Sequence, residues 1–513
     1  MFPSFLLYAS KPAYIQIITR EVRSCQNRMG GGYNVFRVDI EVIIMRLKPF
    51  DFKLPHEEAK RKKRIIFTLS AILIIVVITI ASSFAYYQSI ELQNPYNTSV
   101  GTFSNGDLIL VVTIDGIDSQ TFPTKGSGYV ANSVTCDKSA TGNWDNDLWT
   151  IAVSNLTQTK TICNIDFVLA PYLKDAILDQ GGGAVSIQTL ATSSFAKAAV
   201  SQMAYNMLPA TATSQNASQA NSIVQSGIYK MNDDYGVSYY YRGARENLNN
   251  NLIFAGFQWK IIRINGNGTI RIIYNGTEAQ FNSANTVNVA GTNTQIELSK
   301  FNPVHNDAKY VGYMYGGANG TASTSRASAV TNQTDSTAKT TLDTWYTNNI
   351  ESKGASVTNK ISDTLFCNDR SIHSGTGYGS TATYYGAYNR LQINKAPILM
   401  CSDKNDRFTV SDTTIGNGAL SKPVGLITAD EVSLAGGLYY IHNTSYYLYS
   451  GQLFWSMTSG AFGSVANVWY IGNLGLSSYY PAGDNYGLRP ILNLASTVQL
   501  TGTGTATDPF RIV

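Results

Sequence analysis

The sequence predicts an α+β protein: a single N-terminal transmembrane helix, a small all-β domain, then a larger domain mixing helices with largely antiparallel strands. Three observations carry that expectation. Residues 65–87 hold no charged side chain and directly follow Lys60-Arg61-Lys62-Lys63-Arg64. Residues 99–169 read as short strands punctuated by turn residues. From residue 227 onward, strand-like runs alternate with helix signals. The chain has 513 residues, more than one core of about 100–200 usually organises.

The N-terminal element comes first. Residues 1–64 carry 13 Lys/Arg against 6 Asp/Glu, a net of +7, and the rest of the chain is left with a net of −3. At 1.5 Å per residue, residues 65–87 span roughly 34 Å, enough for a bilayer core. Flanking cations stay cytoplasmic, so residues 1–64 are expected inside, with 88–513 exported and anchored by an uncleaved signal-anchor. A cleaved signal peptide is the alternative, with Ser83 and Ala85 as small residues before the cut. The apolar run is longer than the usual stretch of about 7–15 residues. Phe67-Thr68-Leu69 resembles a type IV pilin start, but Ile66 and Ala71 stand where that pattern needs Gly and Glu. Residues 1–44 lack a clean period, and Met45 is a plausible true start.

In residues 99–169, the apolar run 108–114 is a strand that ends at the turn Asp115-Gly116, and 134–137, 148–153 and 161–167 are further candidates. Cys136 and Cys163 fall in two of these. In an exported protein such a pair is most simply a disulfide. About 70 residues of this pattern must bury one sheet face on another, which suggests an immunoglobulin-like β-sandwich with Trp144 and Trp149 in the packing. Residues 170–230 read as a linker with partial helix at 172–178 and 194–207, the latter ended by Pro209.

The large domain, 231–513, is expected to open with a hairpin. Phe257–Ile264 and residues 269–274 flank Asn265-Gly266-Asn267-Gly268. Leu342, Trp345, Tyr346 and Ile350 fall at helical spacing. Residues 424–427 read as a strand leading into Thr428-Ala429-Asp430-Glu431, a capping box, and Gly436-Gly437 closes that helix. Residues 453–457, 465–471 and 488–494 are late strands, and 501–513 a glycine-rich turn with a terminal strand. Cys367 and Cys401 form a second candidate disulfide, although spacing alone does not prove connectivity. Cys25 is left on the cytoplasmic side.

A resemblance rests on several runs of this domain: DDYGVSYYYRG (233–243), NLIFAGFQWKIIRINGNGTIRIIYNGT (251–277), DTWYTNN (343–349), SDTLFCNDRS (362–371), PVGLITADEVSLAGG (423–437), FWSMTSG (454–460) and GLRPILNL (487–494). In these the chain resembles uncharacterised membrane-anchored surface proteins of Gram-positive and gut bacteria. The ending also resembles the C-type-lectin-like fold shared by formylglycine-generating enzymes. That likeness implies fold and not chemistry, and nothing places Cys367 and Cys401 in a catalytic role.

Site chemistry is sparse. Only 14% of residues are charged and the net charge is +4, which argues against a nucleic-acid partner. His305, His373 and His442 are scattered, no zinc-finger spacing occurs, and no metal or cofactor is expected. Asp343, Asp363, Asp430 and Glu431 are the acids a glycosidase reading would use, but Glu431 is accounted for by capping. No catalytic residue is assigned. Binding is the favoured reading. Loops rich in Tyr, Ser, Gly and Asn suit adaptable contacts, here 374–388, 442–451 and 476–486. They supply Tyr384, Tyr385, Tyr446, Tyr447, Tyr479, Tyr480 and Tyr486 as candidate contacts to an extracellular glycan or protein. Trp455 and Arg489 read as structural, the latter in a buried hydrogen-bond network. The expected protein is a cell-surface protein displaying a ligand-binding or adhesive domain. A structural envelope protein and an extracellular hydrolase are the alternatives.

Overall fold

The computed structural model describes residues 108–180 and 226–513, apart from 147, 157–159, 285, 395, 441 and 476, together with two-residue strands at 7–8, 16–17 and 188–189. The basic tail, the 65–87 helix and the 194–207 helix lie outside the described residues. Among the described residues, no helix is long and apolar enough to cross a membrane. The chain divides into two compact units, Met1–Lys125 with Ala131–Val168, and Gly126–Val130 with Leu169–Val513.

In the first unit, β1 (Leu108–Ile114) turns into β2 (Ile117–Ser119) through Asp115 and Gly116, both at positive φ. Such a two-residue turn matches the twist of the strands it joins. The remaining strands are β3 (Tyr129–Cys136), β4 (Thr141–Asp145), β5 (Thr150–Ser154) and β6 (Thr161–Leu169). One sheet runs β2-β1-β6-β3, with β1 and β6 parallel; β4 and β5 form a separate hairpin. Along β6 the inward positions Thr161, Cys163, Ile165 and Phe167 are buried, the period of two a half-covered strand needs. Trp144 of the hairpin meets Phe167 of the sheet at 5.1 Å, and Phe122 and Trp149 complete the cluster. Trp144 and Trp149 therefore pack as expected. Cys136 and Cys163 are bridged, with Cα atoms 4.0 Å apart. That bridge joins neighbouring strands β3 and β6 of one sheet, whereas the immunoglobulin pattern joins two sheets.

The second unit begins earlier than the sequence suggested. Helix α1 (Leu173–Leu178) buries Leu173 and Ile177 in the main core, and the Leu173 amide donates to the Val498 carbonyl at 2.9 Å. Residues read as linker are thus part of the large unit. So is β7 (Gly227–Asp233), which pairs with β8 (Gly236–Arg242) and straddles the expected boundary at 231.

The central sheet is built on β9 (Asn251–Phe254), β10 (Phe257–Ile264) and β11 (Ile270–Thr277), with β7 and β8 on one side. Every residue of β10 is buried, because both of its faces are covered. The β10–β11 hairpin closes with the Asn265 amide donating to the Thr269 carbonyl at 2.8 Å, and Gly268 takes the positive φ. Helix α2 (Thr337–Asn349) starts at Ser336, whose hydroxyl accepts the Lys339 amide. It lays Leu342 and Tyr346 into the core, and Trp345 against Phe257, Trp259 and Tyr274.

A second sheet holds β12 (Leu298–Lys300), β13 (Ile372–Ser374), β14 (Thr383–Tyr385), β15 (Phe454–Phe462), β16 (Ala466–Ile471), β17 (Ser477–Pro481) and β18 (Asn485–Gly487). Helix α3 (Ala429–Ala435) carries the expected capping box of Thr428 and Glu431 and ends at Gly436, φ 129°. The expected strand at 424–427 does not form. Gly425 bonds to Ile491 while Ile427 accepts from Met457, so the segment is shared between two partners and builds no ladder. The late run narrows to β19 (Ile491–Leu494), which pairs with β11, and the C-terminus forms β20 (Leu500–Thr501) and β21 (Phe510–Ile512).

Candidate ligand-binding surface

Around β14, β16 and β17 of the second sheet, alternation decides which tyrosines meet solvent. Tyr384 is 39% exposed, whereas its neighbour Tyr385 is fully buried and donates its hydroxyl to the Ala308 carbonyl at 2.8 Å. Trp469 stands opposite Tyr479, and Val468 opposite Tyr480, in the β16–β17 register. Tyr479 therefore meets Trp469 edge-on at 5.5 Å, and Tyr480, 48% exposed, points to the other side.

Two ring clusters follow. In the first, Tyr384 lies 4.3 Å from Tyr388, and Tyr388 5.7 Å from His373. Tyr479 sits within electrostatic reach of Tyr384, Tyr388 and Tyr440; burial first, then these neighbours, raise its phenol pKa. Trp469 carries the cluster on to Tyr439 at 5.5 Å, and Tyr439 to Tyr440 at 4.7 Å. In the second cluster, Tyr470, Tyr480 and Tyr486 contact one another at 5.0–6.2 Å, and Tyr486 packs on the buried Trp455 at 4.6 Å. Rings partly buried against core tryptophans, with Tyr384, Tyr440 and Tyr480 exposed, give rigid contact area at small entropic cost.

Four of the seven sequence candidates, Tyr384, Tyr479, Tyr480 and Tyr486, gather in these clusters. The other three do not. Tyr385, Tyr446 and Tyr447 belong to the buried core, which withdraws them from any external ligand. The 442–451 loop turns inward because its Tyr-Tyr-Leu run fills the core beside Gly243, where the Tyr447 amide donates to the Gly243 carbonyl. Sequence reasoning missed Tyr388, Tyr439, Tyr440, Tyr470 and His373. Alternation in β16 puts Tyr470 on the face of the buried Ala466 and Val468 and gave no signal for it, and Tyr439 and Tyr440 lie outside any strand.

Below the first cluster, residues Tyr388–Ile393 form a π-helical turn, a rare geometry frequent at functional sites. The turn sends Tyr388 outward and Arg390 inward. Arg390 holds Asp430 with two bonds of 3.0 Å and Asp369 with one of 2.5 Å. An adjoining cleft encloses about 410 Å³ including its open mouth, lined in part by Arg263, Arg271, Cys367, Arg390, Thr428 and Glu431. At its floor, Glu431 pairs with Arg263 at 3.0 Å and Arg271 at 2.7 Å, and Arg263 also holds Asp233 at 2.6 Å. Burial pushes the Glu431 carboxyl up, but Arg271, Arg263 and the Thr428 amide outweigh it and keep it below the usual range.

The remaining candidate acids are engaged as well. Asp343 accepts from Lys339 and Ser421, and Asp363 from the amides of Val410, Ser411 and Asp412. Arg489 is buried and donates to the carbonyls of Tyr274 and Leu448 and to Asn275. Cys367 and Cys401 are bridged, Cα atoms 5.7 Å apart. Among the described residues, no three His, Cys, Asp or Glu side chains are placed to hold a metal ion. Comparison with family models, with curated proteins and with solved structures returns no match to this chain.

Proposed function

We propose that the chain is a membrane-anchored surface protein whose large exported unit binds an extracellular glycan or protein through its exposed tyrosine clusters. The observation that carries this reading is the set of tyrosine rings at the second sheet, Tyr384 on β14, Tyr479 and Tyr480 on β17, Tyr486 on β18 and Tyr388 on the π-helical turn, of which Tyr384 and Tyr480 are exposed. Anchorage and orientation rest on the basic run 60–64 and the uncharged segment 65–87. Within this reading the large unit is a C-type-lectin-like domain, a frame that displays loops, and the small unit an immunoglobulin-like spacer. Two β layers packed around Trp144 support the spacer; its in-sheet disulfide is a departure from that pattern. Binding is favoured over hydrolysis because the acids Asp343, Asp363, Asp430 and Glu431 all serve as hydrogen-bond or ion-pair partners.

The test is binding of residues 88–513 to glycan and protein arrays, with and without Tyr384→Ala and Tyr480→Ala. Signal that falls at least tenfold in the double variant supports the reading. Absence of signal favours a structural envelope role, and hydrolysis abolished by one carboxylate change favours an extracellular hydrolase.

A further inference from the structure

In the central sheet of the large unit, Asn251 of β9 and Lys260 of β10 stand directly opposite each other in antiparallel register. Both are buried, at 2% and 5% exposure. Lys260 Nζ is hydrogen-bonded to Asn251 Oδ1, and Asn251 Nδ2 donates to the Gly504 carbonyl at 2.8 Å, which fixes the amide beside the amine. Among the described residues, the charged groups that act on Lys260 are the guanidiniums of Arg245 and Arg489. A buried ammonium facing like charges is costly. Burial, and then those two guanidiniums, bring its pKa down to about 7. A large share of the side chain is therefore the free amine at neutral pH, the nucleophilic form.

We propose that Lys260 and Asn251 join in an intramolecular isopeptide bond that ties β9 to β10. Lys260 Nζ attacks Asn251 Cγ; the new C–N bond forms as the Cγ–Nδ2 bond breaks. One Nζ proton ends on Nδ2, which leaves as ammonia, so no oxidant or other co-reactant is needed. Holding amine and amide side by side replaces a bimolecular encounter with a positioned one. The buried setting keeps water from competing for the same carbonyl. The product also removes an ionisable group from the core. Because β9 pairs with β21 as well as β10, the tie fastens a strand at the middle of the sheet.

Mass spectrometry of the purified full chain, reduced and denatured, tests this. The expected mass is short by one ammonia. Chymotrypsin, cutting at Phe254 and Phe257, should then release one branched peptide joining the two residues, and trypsin should fail to cut after Lys260. Lys260→Arg and Asn251→Ala should each restore the mass and abolish the branch. Ammonia loss at an Asn-Gly site such as Asn265-Gly266 gives no branched peptide and persists in Lys260→Arg, so it would not sustain the proposal. An unbranched Lys260 segment from the unaltered chain overturns it and leaves a hydrogen bond alone.

Discussion

Around Phe167 in the first unit, four aromatic rings and one disulfide join a few aliphatic side chains, Val112, Ile151 and Ile165 among them, between a sheet and a hairpin. Around Trp259 in the second unit, a far larger apolar core encloses ionic networks as well, with Arg263, Arg271, Asp233 and Glu431 all buried. A short segment buries a smaller fraction of its surface and needs a staple. A large one excludes enough water that charges inside it must be paired or hydrogen-bonded. The same kind of bond therefore has different consequences in the two units.

The largest expected effect belongs to the ionic network. Glu431→Leu leaves Arg263 with Asp233 but strips Arg271 of its carboxylate, and should cost the large unit about 3–5 kcal/mol. Urea unfolding followed by tryptophan fluorescence measures it. A cost below about 1 kcal/mol would mean that the network is as dispensable as surface pairs.

Reduction comes next and separates the units most directly. The bridges close loops of similar length, with sequence separations of 27 and 34, so loop entropy assigns each about 3–4 kcal/mol. The small unit has the smaller core and is expected to melt on reduction, while the large unit stays folded at lower stability. Limited proteolysis with and without reductant reads both units in one sample, and simultaneous loss of both would break the comparison.

Acid sharpens it further. The Glu431 carboxyl sits below its ordinary value of 4.5 in the folded chain. The unfolded chain therefore takes up that proton at higher pH. Its contribution is fully present above about pH 4.5 and is lost as pH falls through the folded value. Glu431→Gln should flatten the fall in stability below that pH, measured by thermal unfolding across a pH series. An unchanged slope would assign the acid sensitivity elsewhere.

The smallest effect on stability is expected at the surface. Tyr384→Ala with Tyr480→Ala removes rings that are about half exposed, and should shift unfolding by no more than about 0.5 kcal/mol per site. Retained stability with lost ligand binding marks a contact surface. Loss of both would mean that the rings serve packing.

Much of the fold was legible because its signals are short. The Asp115-Gly116 turn, the β10–β11 hairpin, the Thr428 cap and Gly436 are each decided by residues within a few positions. The candidate surface was half legible. Tyr384 and Tyr385 are adjacent and chemically identical, and the pairing of β14 with β15 places one outside and the other in the core. The 442–451 loop has the composition of a binding loop, yet it fills the interior.

The sequence by itself determined the uncharged 65–87 segment, the local turns and caps, the cysteine pairs that match the two bridges, and the α+β class. Only the tertiary structure decided which tyrosines meet solvent and which cation meets Glu431. The physical reason is the range of the interactions. Turns and caps close within one helical turn, whereas Arg263 reaches Glu431 across 168 residues and Arg489 reaches Asn275 across 214. Burial at such positions is set by the sheet that brings those residues together, and no local pattern encodes it.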